Sequence, residues 1–297
     1  MWEQQVVNGL TSGVVYALMA MGFSLVWSTA RTMNFAYGVT YALGAYTFFV
    51  IVRAGLSGEW GLVTMLAIAF VGVAGAGALF GYLLDRAVFR PLRDNELAPF
   101  FASLGVAIAL ENVFGFLFGT RPLIVNIEGI RDFFRIGPVT ITLVQIVVIG
   151  SSVVIMIALH VLLSRTRTGR AMRATSFDRS TARLMGIDVN RTIAIVFILA
   201  GILAACAGAF VGMFYGVAQP YMGSAVLVKG LAAAVLGGFG SIPGAIVGGL
   251  LIGVMEAVGA GVTTSGNWQD VVAYVVLIGV ILVRPQGIFG EPGLQAR

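Results

Sequence analysis

Two apolar stretches, Thr140 to Leu163 and Thr192 to Val217, enclose a loop, Ser164 to Arg191, that holds seven arginines and two acids. That alternation dictates a membrane protein. Apolar runs of about 20 residues are long enough to cross a bilayer as helices, and an arginine cluster between two of them stays on the cytoplasmic side. The loop's seven basic and two acidic residues give +5, as do the chain's 18 basic and 13 acidic residues. All other charges cancel, and this loop alone fixes inside from outside.

The rest of the chain agrees. A hydrophobic share of 59%, a charged share of 10% and a mean hydropathy of +0.97 lie far from the values of soluble domains. Glu3 and the absence of Lys or Arg before Asn8 are unlike a secretory signal, so the first apolar segment, Val6 to Trp27, is expected to be retained. Further spans are expected after the Asn34–Gly38 turn to about Arg53, then from Trp60 to Leu84, Leu97 to Phe118, Gly223 to Phe239, onward to Val262, and Trp268 to Val283. The fold class is an all-α polytopic membrane protein with eight or nine transmembrane helices, a single domain over residues 1–297. It is broken near residues 237–244 by Gly and Pro. Nine passes put the amino terminus outside, and a re-entrant Gly223 to Phe239 reduces the count to eight. A second basic loop, Asp85 to Glu96, is cytoplasmic, and Gly119 to Val139 is an external loop.

Small residues recur at intervals of four. Gly77 and Gly81 suit a close helix crossing, and Ala204, Gly208, Gly212 and Gly216 mark an inner packing helix. Ser103, Ala107, Glu111, Gly115 and Gly119 form another strip, which directs Glu111 toward protein. Glu256 shares a face with Gly249, Gly253 and Ala260. Carboxyls at membrane depth are costly; they serve either as pathway groups or as hydrogen-bonded links between helices. Lys229, the only lysine, is expected to snorkel from near its span's outer end.

Several chemistries lack their residues. Lys229 is followed by Gly230, so the chain has no Walker-type phosphate loop, and any ATP it uses is bound by a partner. His160 is the only histidine and Cys206 the only cysteine, which excludes a disulfide within the chain and leaves no expected metal site. No nucleophile and base pair argues for an enzyme. The basic residues border apolar segments, so lipid rather than nucleic acid is the expected surface partner. Within the arginine loop, Ala171, Ala174, Ala182 and Met185 are spaced for short amphipathic helices, and Gly186 is placed to end one.

Four stretches together resemble the permease subunits of ATP-binding-cassette importers of branched-chain amino acids. They are Asn8-Gly9-Leu10 with Gly13; Asn34-Phe35-Ala36-Tyr37-Gly38; the loop from Arg165 to Asp188; and Leu236 to Gly244 with Gly248-Gly249. The terminal Arg284-Pro285-Gln286-Gly287-Ile288-Phe289-Gly290 fits as well. The resemblance implies a subunit of the bacterial cytoplasmic membrane that works by alternating access. It implies a second, unlike permease subunit, two cytoplasmic ATPase subunits that bind the ATP, and an external amino-acid-binding protein. Residues 164–191 become the coupling loop gripped by the ATPases, with Arg170, Ala171, Arg173, Ala174, Asp178, Ala182 and Gly186 at its coupling helix. Asn34, Gly240, Ser241, Glu256 and Glu111 are the expected substrate pathway. Tyr37 stands where many members of the family carry histidine, which removes a titratable group from that turn. Two other readings stay open: import of urea or short amides within the same family, and an ion-coupled secondary transporter with Glu111 and Glu256 as its coupling site.

Overall fold

The computed structural model describes residues 2–58, 60–93, 95, 97–124, 133–136, 139–262, 271, 274–275, 278–280, 282 and 287–290. Among them, seven helices are long and apolar enough to cross a membrane. They are α1 (Trp2–Ala30), α2 (Tyr37–Ser57), α3 (Leu62–Leu84), α4 (Ala98–Phe118), α5 (Leu143–Arg165), α8 (Val189–Tyr215) and α10 (Ile242–Val262). The loop helices α6 (Arg167–Phe177) and α7 (Arg179–Leu184) lie between α5 and α8, and the shorter apolar α9 (Met222–Gly237) precedes α10. The protein is thus an all-helical, polytopic membrane protein, as the apolar runs require. Most of the expected last span, Trp268 to Val283, lies outside the described residues.

Two small antiparallel ribbons interrupt the helices. In one, β1 (Leu123–Ile124) pairs with β4 (Val217–Ala218); in the other, β2 (Phe133–Ile136) pairs with β3 (Val139–Thr142), Phe133 opposite Thr142. The segment read as an external loop, Gly119 to Val139, carries β1, β2 and the start of β3. Gln4 completes the second ribbon's edge: its side-chain amide donates to the Thr140 carbonyl at 3.0 Å and accepts from the Thr140 amide at 2.8 Å.

The chain divides into two compact units. One comprises Leu25–Asn126 and Ile155–Leu227. Its centre is α8, packed on α2 and α3 through glycine. A β-carbon on Gly208 would overlap the Tyr41 carbonyl, one on Gly44 the Ala205 carbonyl, and one on Gly77 the Gly201 carbonyl. Such contacts bring helix backbones together where no hydrophobic driving force exists between lipid-bathed helices. The four-residue stripes at Gly77 and Gly81 and at Ala204 to Gly212 are therefore crossing surfaces. Gly216, at φ 69°, ends α8 in the left-handed region.

The other unit comprises Met1–Ser24, Ile127–Val154 and Val228–Arg297. There α1 meets α10 with Gly9 against Val254 and Gly13 against Leu250, and α9 folds back on α10 with Gly248 against the Ala233 carbonyl. Asn8 Oδ1 accepts from Gln145 Nε2 at 3.0 Å, tying the start of α1 to α5.

Candidate functional site

The break between α9 and α10 is built from residue chemistry. Gly238 (φ 98°) and Gly240 (φ 88°) occupy the left-handed region, which a side chain resists. Ser241 Oγ then accepts from the Gly244 amide at 3.2 Å, satisfying a donor at the start of α10. The distal motif at Gly287 returns to this place: Ile288 and Phe289 donate their amides to the Leu236 and Gly237 carbonyls at 2.8 and 3.1 Å. Two stretches far apart in sequence thus close the carboxyl end of α9 together.

Along this hairpin lies a pair that sequence spacing did not announce. Lys229 Nζ donates to Glu256 Oε1 at 2.8 Å, with Lys229 only 7% and Glu256 8% exposed. Lys229 therefore does not snorkel; it sits midway along α9, with its ammonium 5.7 Å from the centroid of the Tyr16 ring. Glu256 Oε2 is buried and has no hydrogen-bond partner among the described residues. A buried ion pair loses so much hydration that its net contribution to stability is small.

The other expected pathway residues belong to the unit centred on α8. Asn34, 3% exposed, precedes α2, and its side-chain oxygen is buried without a hydrogen bond among the described residues. Next to it, the Phe35 amide donates to Ser103 Oγ on α4 at 3.1 Å. On α4, Ser103 and Ala107 are buried and Glu111 is half-buried, so the small-residue strip is that helix's inward face through Glu111.

The arginine loop forms the two expected short helices. Thr166 caps α6 by accepting from the Gly169 amide at 3.1 Å, and Asp178 caps α7 by accepting from the Ser180 amide at 2.8 Å. Asp178 also accepts from the hydroxyls of Ser180 and Thr181, each at 2.6 Å. These bonds hold its carboxyl well below the usual carboxylate range. Gly186, at φ 81°, ends α7. Ala182 is turned inward, 4% exposed, Ala171 and Ala174 are half-buried, and Arg170 is exposed. The outward apolar groups are Phe177, Leu184 and Met185, at 81%, 87% and 78% exposure.

Arginines anchor this loop to its own unit. Arg173 donates to the Leu163 carbonyl. Arg179 donates to the Thr29 carbonyl at the end of α1 from Nε at 3.3 Å and from Nη2 at 3.0 Å. Burial, then the neighbouring Arg93, Arg31 and Arg183, lowers the Arg179 pKa from its ordinary value. Arg31, at φ 46°, follows α1 and reaches the Ser176 carbonyl at 3.4 Å.

Residues 5–281 match the family described as the permease component of the branched-chain amino acid transport system. The chain belongs to this family. Among its relatives is the high-affinity branched-chain amino acid transport system permease protein LivH of Salmonella typhimurium, 37% identical over 301 residues, which span 98% of this chain and 96% of that protein. BraD of Pseudomonas aeruginosa, a permease protein of the same printed description, is 38% identical over 298 residues, 98% and 97% of the two chains. More distant is the autoinducer 2 import system permease protein LsrC of Enterobacter sp., 29% identical over 290 residues. No solved structure matches the chain. Membership of this permease family makes the chain a transport subunit, not an enzyme, and a multi-pass protein of the bacterial-type cytoplasmic membrane.

Proposed function

We propose that the chain is one of two unlike permease subunits of an ATP-binding-cassette importer, and that it carries branched-chain and other hydrophobic amino acids delivered by an external binding protein. Two cytoplasmic ATPase subunits bind and hydrolyse the ATP; this chain holds no cofactor. The observation that carries the reading is the outward apolar trio Phe177, Leu184 and Met185 on the capped helices of the arginine loop. Large exposed apolar groups on a charged loop favour a protein partner. The sequence has no phosphate loop of its own, so the energy enters from such a partner.

In this reading Gly186 and Asp178 shape α7, Ala182 seats it, and Ala171, Ala174, Arg170 and Arg173 set the orientation of α6 beneath the ATPase. Closure of the ATPases moves the loop helices, and the pathway alternates between its two faces. Asn34, Glu111, Gly240, Ser241 and Glu256 are assigned to the substrate pathway: Asn34 and Glu256 each supply a buried oxygen, and Gly240 and Ser241 shape the break between α9 and α10. Apolar walls suit the substrate's side chain.

Co-purification tests the proposal. Leu184→Asp with Met185→Asp places two carboxylates where an apolar groove is expected. The altered chain should reach the membrane, lose the ATPase subunits on purification and lose ATP-driven leucine uptake. Retention of both the ATPases and uptake would overturn the assignment of this surface.

A further inference from the structure

The Lys229–Glu256 pair has features that a purely structural link does not need. The two groups lie on helices joined by the glycine break, one on each arm of the hairpin. Glu256 shares its carboxylate unevenly: Oε1 bonds Lys229 at 2.8 Å, while Oε2 is buried with no donor. A buried carboxylate oxygen without a donor forfeits a strong charge-assisted bond. It leaves one acceptor of the pair open. The Tyr16 ring lies 5.7 Å from the Lys229 ammonium, and Gly249 and Gly253, at helical spacing on the face of α10 that carries Glu256, meet the backbone of α1 at Ala17 and Gly13.

We infer that Lys229 and Glu256 form the recognition site for the zwitterionic end of an α-amino acid. The substrate's ammonium binds Glu256 Oε2, and its carboxylate faces the Lys229 ammonium. An α-amino acid carries its two charges close together, on one carbon and its carboxyl, so a protein pair in direct contact is the complementary template. Net charge is conserved on binding: two opposite protein charges meet two opposite substrate charges, and no proton transfer is needed. The side chain of the substrate makes no claim on this pair, which accommodates a family of amino acids and excludes amines, acids and amides that lack one charge. Urea and short amides, uncharged, gain nothing from it. This inference rests on the reading of the chain as an amino-acid permease.

The test uses the full complex in vesicles with labelled leucine. Glu256→Gln keeps the shape but removes the charge; Lys229→Met with Glu256→Leu removes the pair and leaves apolar packing. Both should preserve assembly and ATP hydrolysis while leucine uptake falls about tenfold or more. A second measurement needs no variant. Labelled leucine should bind the wild-type complex and be displaced at least about fivefold more weakly by 4-methylpentanoate, which lacks the ammonium, than by another α-amino acid. Near-normal uptake by the apolar pair overturns the inference, as does displacement of leucine by 4-methylpentanoate as readily as by an α-amino acid. If the wild-type complex itself takes up no leucine, the amino-acid reading has failed; if it does and Glu256 is indifferent, only the recognition site has failed.

Discussion

Arg179 grips the carbonyl oxygen of Thr29 with two of its guanidinium nitrogens, at 3.0 and 3.3 Å, and so joins the arginine loop to the last turn of α1. The carboxyl end of a helix carries partial negative charge and unsatisfied carbonyls, both of which favour a cation there. In the proposed importer, this contact would couple movement of α7 to the last turn of α1.

Replacing Arg179 should separate ATP hydrolysis from transport. In Arg179→Ala the ATPases should remain bound, through Phe177, Leu184 and Met185, while the uptake per ATP hydrolysed falls about tenfold. Arg179→Lys, which keeps charge but loses the fork, should recover only part of it. Equal losses of uptake and of bound ATPase would assign Arg179 to docking instead.

Gly208 and Gly75 make an internal contrast. At Gly208 a β-carbon meets the Tyr41 backbone, whereas at Gly75 nothing lies within 4 Å. Gly208→Ala should destabilise the protein by about 1–3 kcal/mol or more, because a backbone cannot yield as a side-chain tip does. Gly75→Ala should be neutral or slightly stabilising. The midpoint of thermal unfolding in detergent distinguishes the two.

Asp178 gives a pH dependence with a definite sign. Its folded pKa is depressed, so its contribution is present above the unfolded carboxylate value of about 4 and is lost as pH falls through the folded one. The cap on α7 should therefore be intact at neutral pH and weaken only in strong acid. Asp178→Ala should expose the Ser180 and Thr181 amides to faster hydrogen exchange at pH 7, with Asp178→Asn close to wild type.

Gly240, at φ 88°, should not accept a side chain in the turn between α9 and α10. Gly240→Val is expected to lower the yield of folded protein sharply, measured by size-exclusion chromatography. Ser241→Ala removes only the bond from the Gly244 amide and should cost about 1 kcal/mol.

Where a pattern repeats at helical spacing, the sequence disclosed the packing. Gly77, Gly81, Gly208 and Gly212 lie on crossing faces because four-residue intervals return to one side of a helix. Asp178 and Gly186 were legible as helix punctuation, since cap and left-handed positions accept few residue types. The partnership of Lys229 with Glu256 escaped notice because it depends on the register of an antiparallel hairpin. A signal was present: folding the chain at Gly238 to Ser241 sets Ala233 against Gly248, which carries Lys229 to within about one helical turn of Glu256. The outward placement of Phe177, Leu184 and Met185, with Ala182 inward, was hidden for a different reason. Which face of a short loop helix is covered depends on the helices below it, not on its own periodicity.

The most direct test of the central claim is labelled leucine uptake into vesicles holding this chain with its permease partner, with and without the ATPase subunits, at zero ion gradient. The account predicts uptake only when ATPases, ATP and loaded binding protein are all present, and its loss in Leu184→Asp with Met185→Asp. Uptake driven by a proton or sodium gradient with no ATPase present would contradict it, and would make Glu111 and Glu256 the residues of an ion-coupled carrier.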